Sequence, residues 1–255
     1  MKQKLPQSFL NAPLAHRALH DVSDGRPENS RAAIQAAIDH GYGIEIDVQL
    51  SADNKAMVFH DFALERLAEA TGPIRQRSAA DLNAVRLIGG SEGIPTLPEV
   101  LNLVGGRVPL LIEIKDQDGA MGPSIGPLED AVAAALDGYV GPIGLMSFNP
   151  HSVAHFAKHA PQWPRGLTTS AFNPKSWPLP EDTCTHLRMI SDYDRVGATF
   201  ISHEAADLDS DRVRDLKAEG ANVLCWTIKS PEEEAKARAV AQNVTFEGYL
   251  PTVSA

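Results

Sequence analysis

Eight short apolar runs, most of them followed by a stretch of helical periodicity, constrain this chain more than any other feature. They fall near 13–17 (PLAHR), 43–50 (GIEIDVQL), 108–115 (VPLLIEIK), 142–148 (PIGLMSF), 165–170 (RGLTTS), 198–203 (ATFISH), 221–228 (ANVLCWTI) and 245–250 (TFEGYL). Ser30 to His40 reads as a helix with Ile34 and Ile38 on its inner face and Gly41 just past its end. Thr96-Leu97-Pro98-Glu99 and Ser230-Pro231-Glu232-Glu233 have the form of capping boxes that open helices. Leu128 to Leu136 and Asp209 to Glu219 read as amphipathic helices. Strands alternating with helices in this number predict an α/β fold, a (β/α)8 or TIM barrel, which typically takes roughly 250 residues. The chain has 255, so one domain over 1–255 is expected. A doubly wound open sheet is the alternative fold, and no GxGxxG loop supports it. No helix fits after the last strand, and the N-terminal segment is expected to cover that side instead.

One further strand interrupts the alternation. Ser51 to Lys55 (SADNK) is turn chemistry between the run at 43–50 and a short one at 56–60. A parallel crossover needs about a dozen residues, so 56–60 must return antiparallel, as a β-hairpin excursion after the second barrel strand. Pairing Leu50 with Ala56 brings His60 back beside the segment that holds Glu45 and Asp47.

The balance of 23 basic against 33 acidic residues, a net charge of -10, argues against nucleic acid or an anionic membrane as partner. It does not argue against a small anion held by local Arg and Lys. The two cysteines, Cys184 and Cys225, are far apart, which predicts neither a disulfide framework nor a zinc ribbon. No run approaches 18 apolar residues, so no membrane span is expected. The opening MKQKLPQSFLNAPLAH lacks the apolar core of a signal peptide, and a cytoplasmic setting is expected. A homo-oligomer is left open.

Charge stands where burial makes it costly. Glu45 and Asp47 are two apart on one strand and share a face, with Ile44, Ile46 and Val48 on the other. Glu113 and Lys115 repeat the pattern on the next barrel strand, and His16 ends the first. In such barrels the carboxyl ends of strands carry the chemistry. Three carboxylates facing one space repel unless a cation joins them, and all-oxygen ligation suits Mg2+ or Ca2+ rather than zinc. The competing arrangement is a set of buried ion pairs, Glu45 with Arg17 and Glu113 with Lys115. His16 and His60 titrate in the range general acid–base work needs. The other seven histidines (His20, His40, His151, His155, His159, His186 and His203) read as structural or solvent-exposed. Arg17 suits bidentate phosphate binding, and Lys115 offers a point charge to a phosphoryl oxygen. Trp226 either walls the barrel mouth against a small organic group or fills the core.

In order and spacing these residues resemble the glycerophosphodiester phosphodiesterase family. The matching motifs are His16-Arg17, Pro27-Glu28-Asn29, Glu45-x-Asp47-Val48, Val58-x-His60-Asp61, Ile94-Pro95-Thr96-Leu97-x-Glu99-Val100, Glu113-x-Lys115, Ser147-Phe148 and Trp226-Thr227, spread over about residues 13 to 251. The resemblance implies a (β/α)8 barrel with His16 and His60 as the acid–base pair. It implies a divalent metal on Glu45, Asp47 and Glu113, phosphate on Arg17 with help from Lys115, and Trp226 beside a glycerol group. Glu28 receives no firm role. Three departures stand out: Ala18 where the family usually has glycine, Ile228-Lys229 after Trp226-Thr227, and Gly248-Tyr249-Leu250-Pro251 near the end. The expected reaction is metal-dependent hydrolysis of a glycerophosphodiester, a small-molecule substrate, to glycerol 3-phosphate and an alcohol. The alternatives are a lysophospholipase D-type lipid phosphodiesterase, an aldolase-type barrel with Lys115 as Schiff-base lysine, and a non-catalytic barrel that only binds metal or phosphodiester.

Overall fold

Alternation along the strands divides the side chains between an outer core against the helices and an inner one within the sheet. The computed structural model describes residues 3–253. Its strands are β1 (Leu14–Ala15), β2 (Gly43–Leu50), β3 (Ala56–Val58), β4 (Leu110–Ile114), β5 (Ile143–Ser147), β6 (Arg165–Thr169), β7 (Phe200–Glu204), β8 (Asn222–Ile228) and β9 (Asn243–Phe246). All but β3 pair in parallel, in the order β1–β2–β4–β5–β6–β7–β8–β9, and β9 pairs back to β1. The result is a closed eight-stranded TIM barrel.

The helices lie outside it: α1 (Ser8–Asn11), α2 (Arg31–Asp39), α3 (Ala79–Ala84), α4 (Leu97–Val104), α5 (Pro127–Ala135), α6 (Pro150–His159), α7 (Glu181–Arg188), α8 (Asp211–Ala218) and α9 (Pro231–Ala237). Here α1 is the exception, as described below. Ile44, Ile46 and Val48 of β2 pack with Ala33 and Ile34 of α2 and Val100 of α4, as the alternation predicts, and Glu45 and Asp47 take the opposite face. The Thr96 box closes reciprocally, Glu99 N–H on Thr96 Oγ1 and Thr96 N–H on Glu99 Oε2. The Ser230 box is displaced by one residue: Ser230 accepts from Glu233 N–H, but Glu233 reaches back to Lys229 N–H.

Three expectations change. The first strand is two residues long because the chain turns at once through Arg17 (φ 52°) and Ala18 (φ 65°). The last strand starts at Asn243 and ends at Phe246, and the chain leaves it through Glu247 and Gly248 (φ 78°). The N-terminal segment does not cover the side that lacks a helix. Leu5 and Phe9 sit in a cluster with Leu14, Leu111, Met146, Phe200 and Leu224, forming a floor inside the barrel. Asn243 Nδ2 fixes this floor by donating to the carbonyls of Phe9 (2.7 Å) and Ala12 (2.6 Å). The side without a helix is covered instead by Tyr42 and Tyr249 around Phe246, with Tyr42 Oη donating to the Pro251 carbonyl at 2.7 Å.

The hairpin forms in the expected register, Leu50 opposite Ala56 and Val48 opposite Val58. The strand stops at Val58, and Phe59 N–H still donates to the Asp47 carbonyl at 3.0 Å. The excursion then continues as a small lobe around Met57, Phe59, Leu64, Leu82, Leu87 and Ile94, and returns to the barrel at α4.

Candidate active site at the mouth of the barrel

One cavity of about 280 Å³ at the carboxyl ends of the strands is lined by all eight residues singled out from the sequence: His16, Arg17, Glu45, Asp47, His60, Glu113, Lys115 and Trp226. Glu45, Asp47 and Glu113 are buried, and one carboxylate oxygen from each lies within 4.8 Å of the others. Asp47 stands opposite Glu113 in the β2–β4 register, so neighbouring strands deliver two of the three acids at the same height.

The buried ion-pair arrangement weighed above is present in part. Lys115 Nζ bridges Glu113 Oε1 (2.6 Å) and Asp47 Oδ1 (2.8 Å). Glu45 takes no guanidinium; its Oε2 accepts the backbone N–H of Arg17 at 2.9 Å. The Arg17 side chain goes instead to Glu28 Oε1 (3.0 Å), with its Nε 3.7 Å from Asp47 Oδ2 and buried without a hydrogen-bond partner. Burial pushes the Glu45 carboxyl well above the ordinary range, and Asp47 and Glu113 push it further. Burial acts the same way on Asp47, but Lys115, His60 and Arg17 outweigh it and hold that carboxyl well below its ordinary value. For Lys115, burial works against the charge, yet Asp47 and Glu113 outweigh it and raise the pKa, which disfavours the neutral amine that the Schiff-base alternative needs.

The linked charges around the mouth are the carboxylates Glu28, Glu45, Asp47, Asp61, Glu113 and Glu247 and the cations Arg17, Arg66, Lys115 and Lys229. With all six carboxylates ionised and both histidines neutral, as cation binding would require of Glu45, negative charge exceeds positive by two. That excess, an all-oxygen donor set and a Glu45 without a cationic partner of its own fit a divalent cation at the three acids.

Each histidine has a carboxylate at Nδ1. His16 donates to Glu247 Oε2 at 2.7 Å and His60 to Asp61 Oδ1 at 2.6 Å, because an ionised carboxylate can only accept. Both rings thus keep Nε2 as the exchangeable nitrogen. Burial lowers the pKa of His60 below its ordinary value; Asp47 opposes the shift, while Lys115 and Arg17 add to it. Asp61 is fixed in turn by Arg66 (2.6 Å), which also bonds Glu28. Asn29 holds Asp47 twice, through Nδ2 to Oδ2 (3.0 Å) and Oδ1 to its N–H (3.2 Å). Trp226 stands at the mouth, edge-on to Phe148 at 5.5 Å, with Nε1 donating to the Ser202 carbonyl. A wider groove of about 610 Å³ continues past Trp226 and Lys229 toward Leu208 and Val240.

Sequence reasoning passed over Glu247, Lys229 and Arg66. Glu247 follows a strand that ends at the mouth and was findable by the rule used for Glu113. Arg66 lies on the irregular lobe, where no periodicity points inward. The Ala18 departure has a structural meaning. Its positive φ is the conformation glycine adopts freely, and alanine holds it at a cost of about 1–2 kcal/mol. Its N–H donates to the carbonyls of Ala15 and Glu45, which fixes the turn that presents Arg17.

The mouth of this parallel barrel gathers buried acids, two carboxylate-held histidines and a guanidinium whose Nε has no hydrogen-bond partner. Residues 16–245 match the model of the glycerophosphoryl diester phosphodiesterase family. A glycerophosphodiester phosphodiesterase of Caldanaerobacter subterraneus is 27% identical over 232 residues, 86% of each chain. Among solved structures, an Oleispira antarctica phosphodiesterase in complex with the product sn-glycerol-3-phosphate superposes with a TM-score of 0.77 at 25% identity, covering 94% of both chains. A glycerophosphodiester phosphodiesterase from Parabacteroides distasonis shares the fold, with a TM-score of 0.72 at 22% identity over 92% of each chain. The chain belongs to the glycerophosphoryl diester phosphodiesterase family and is a phosphoric diester hydrolase. Among the described residues no helix is long and apolar enough to cross a membrane.

Proposed function

We propose that the chain hydrolyses a glycerophosphodiester to glycerol 3-phosphate and a free alcohol, in a reaction that needs a divalent cation and uses two histidines as acid and base. The observation that carries this reading is the convergence of His16, His60, Arg17, Lys115 and the three acids on one cavity. Glu45, Asp47 and Glu113 would hold the ion, and their oxygen donors favour Mg2+ or Ca2+. When bound, the ion supplies Lewis acidity toward a phosphoryl oxygen and offsets the charge that develops there. Arg17, whose side chain lines the cavity, grips the phosphate, and Lys115 adds a second positive charge. His60, held toward its neutral form, takes the proton from the attacking oxygen, either a water or the neighbouring glycerol hydroxyl; in the second case the product of the first step is a cyclic phosphate, which a water then opens to glycerol 3-phosphate. His16, oriented by Glu247, returns a proton to the departing alkoxide. Each transfer contributes ~10²–10⁴ in rate. Trp226 and Phe148 form the apolar wall for glycerol, and the groove beyond Trp226 offers room for the alcohol. The product named for the Oleispira antarctica relative supports glycerol 3-phosphate as the retained half. The same reading takes the chain as one catalytic domain and places it in the cytoplasm, in keeping with two buried free cysteines.

The test is release of glycerol 3-phosphate from a panel of glycerophosphodiesters. His16→Ala and His60→Ala are each expected to lower turnover by about 10²–10⁴ with the circular dichroism spectrum unchanged. Chelation should stop the reaction, and added Mg2+ or Ca2+ should restore it. Near-normal rates in both variants would remove the histidines from the chemistry, and a full rate in excess chelator would remove the metal.

A further inference from the structure

A second group of metal-ligating side chains lies on the outer helical layer, away from the mouth. His155 and His159 are four residues apart on α6 and therefore share one face of that helix. Their rings stack, with centroids 4.1 Å apart and planes 13° from parallel. Asp130 of the neighbouring α5 meets them, its Oδ1 2.7 Å from His155 Nε2. One ligand atom from each of the three lies within 4.8 Å of the other two. None of the three lines the cavity at the mouth.

We propose that Asp130, His155 and His159 form a peripheral site for a transition-metal dication of the zinc class, which clamps α5 to α6. The donor set decides the class. Two imidazole nitrogens and one carboxylate oxygen suit Zn2+ and its neighbours, whereas the all-oxygen acids at the mouth suit Mg2+ or Ca2+. Three protein donors leave a fourth, tetrahedral position to water. Two histidines one turn apart on one helix face are a geometry that zinc accepts.

The spacing of the two helices is held in advance, and the stacked imidazoles need only turn out of their stack to aim one nitrogen each at a shared ion. Glu129 and Ser152, the residues one before Asp130 and three before His155, are both buried and hydrogen-bonded to each other across the α5–α6 contact. Glu129 is fixed further by accepting Gly126 N–H at 2.7 Å. This buried pin sets the spacing of the two helices, so the ligands meet through packing. Among the described residues the ion-pair partner of Asp130 is His155, and no lysine or arginine competes for the carboxylate.

The probe is Zn2+ alone, titrated in excess Mg2+ and followed by the imidazole proton resonances of the histidines and by calorimetry. One equivalent of Zn2+ should shift the His155 and His159 resonances together. His159→Ala, an exposed position, should weaken this binding at least tenfold, and Asp130→Asn should weaken it less. Hydrolysis rates measured in Mg2+ should be unchanged in both variants. The site is refuted if the first equivalent moves other histidines and leaves these two in place, or if His159→Ala binds Zn2+ as tightly as the parent. Since the readout is metal binding at named rings, loss of the proposed hydrolytic function would leave this result standing, and the converse also holds.

Discussion

Glu45 is the residue on which the mouth turns. Its neighbours Asp47 and Glu113 share the ammonium of Lys115, while Glu45 receives only a backbone N–H. Its carboxyl is therefore raised in the metal-free fold, by burial first and by the two acids second. The sign of the linkage follows. The unfolded chain ionises this group near pH 4.3, the folded chain only at higher pH, so metal-free stability falls as pH rises from that value through the folded one. Glu45→Gln keeps an oxygen for the Arg17 N–H and removes the charge. In chelator at pH 7–8 it should raise the stability of the protein by about 1–3 kcal/mol, the scale of an uncompensated buried polar group, and it should abolish metal-dependent turnover. Thermal melts with and without Mg2+ check both halves; a variant less stable than the parent in chelator would show that Glu45 is already compensated. Ala18 belongs to the same scale. The family pattern asks for glycine at that position, and the positive φ there gives the reason.

Between elements, the contact of β6 with β7 shows how the barrel interior is filled. Gly166 stands opposite Phe200 in the register. A Cβ at Gly166 would come within 2.4 Å of the Phe200 ring and 2.6 Å of its carbonyl oxygen. The ring alone cannot move aside, because backbone is part of the clash. Gly166→Ala should therefore cost about 1–3 kcal/mol through overpacking, read as a lower urea midpoint with an unchanged slope. No loss of stability would mean that β6 and β7 sit further apart than described. The β2–β3 hairpin was legible because its turn is too short for a crossover, which leaves one direction for the return strand. The lobe after it was not: β3 and the short helix α3 supply Met57 and Leu82, but Phe59, Leu64, Leu87 and Ile94 of the same cluster come from irregular backbone that neither period of regular structure marks.

At the level of the whole molecule, the floor of the barrel depends on a segment outside the strand–helix alternation. Phe9 is fully buried among side chains from β1, β4, β5, β7 and β8. Phe9→Ala should cost about 3–5 kcal/mol, as for other large-to-small changes at buried aromatics, and should lower the melting temperature without moving the Mg2+ dependence of turnover. A near-neutral effect would show that the floor closes without it.

The alternation of apolar runs with helices, the shared face of Glu45 and Asp47, and the short turn before His60 follow from fixed periods of 2 and 3.6 residues and from limits on chain length. The sequence by itself therefore points to the barrel, the hairpin and eight of the residues that line its mouth, but not to Glu247, Lys229 or Arg66. Which charge meets which is a different matter. That Lys115 divides itself between Asp47 and Glu113, that Arg17 turns to Glu28, that Glu247 and Asp61 orient the two histidines, and that Leu5 and Phe9 fill the floor were decided by tertiary structure. These are contacts between residues as much as 231 positions apart. Glu113 with Lys115 and His60 with Asp61 are close in the chain, and the first was open to view there; the distant pairings are chosen by burial and distance within the closed barrel, and no local pattern in the chain encodes them.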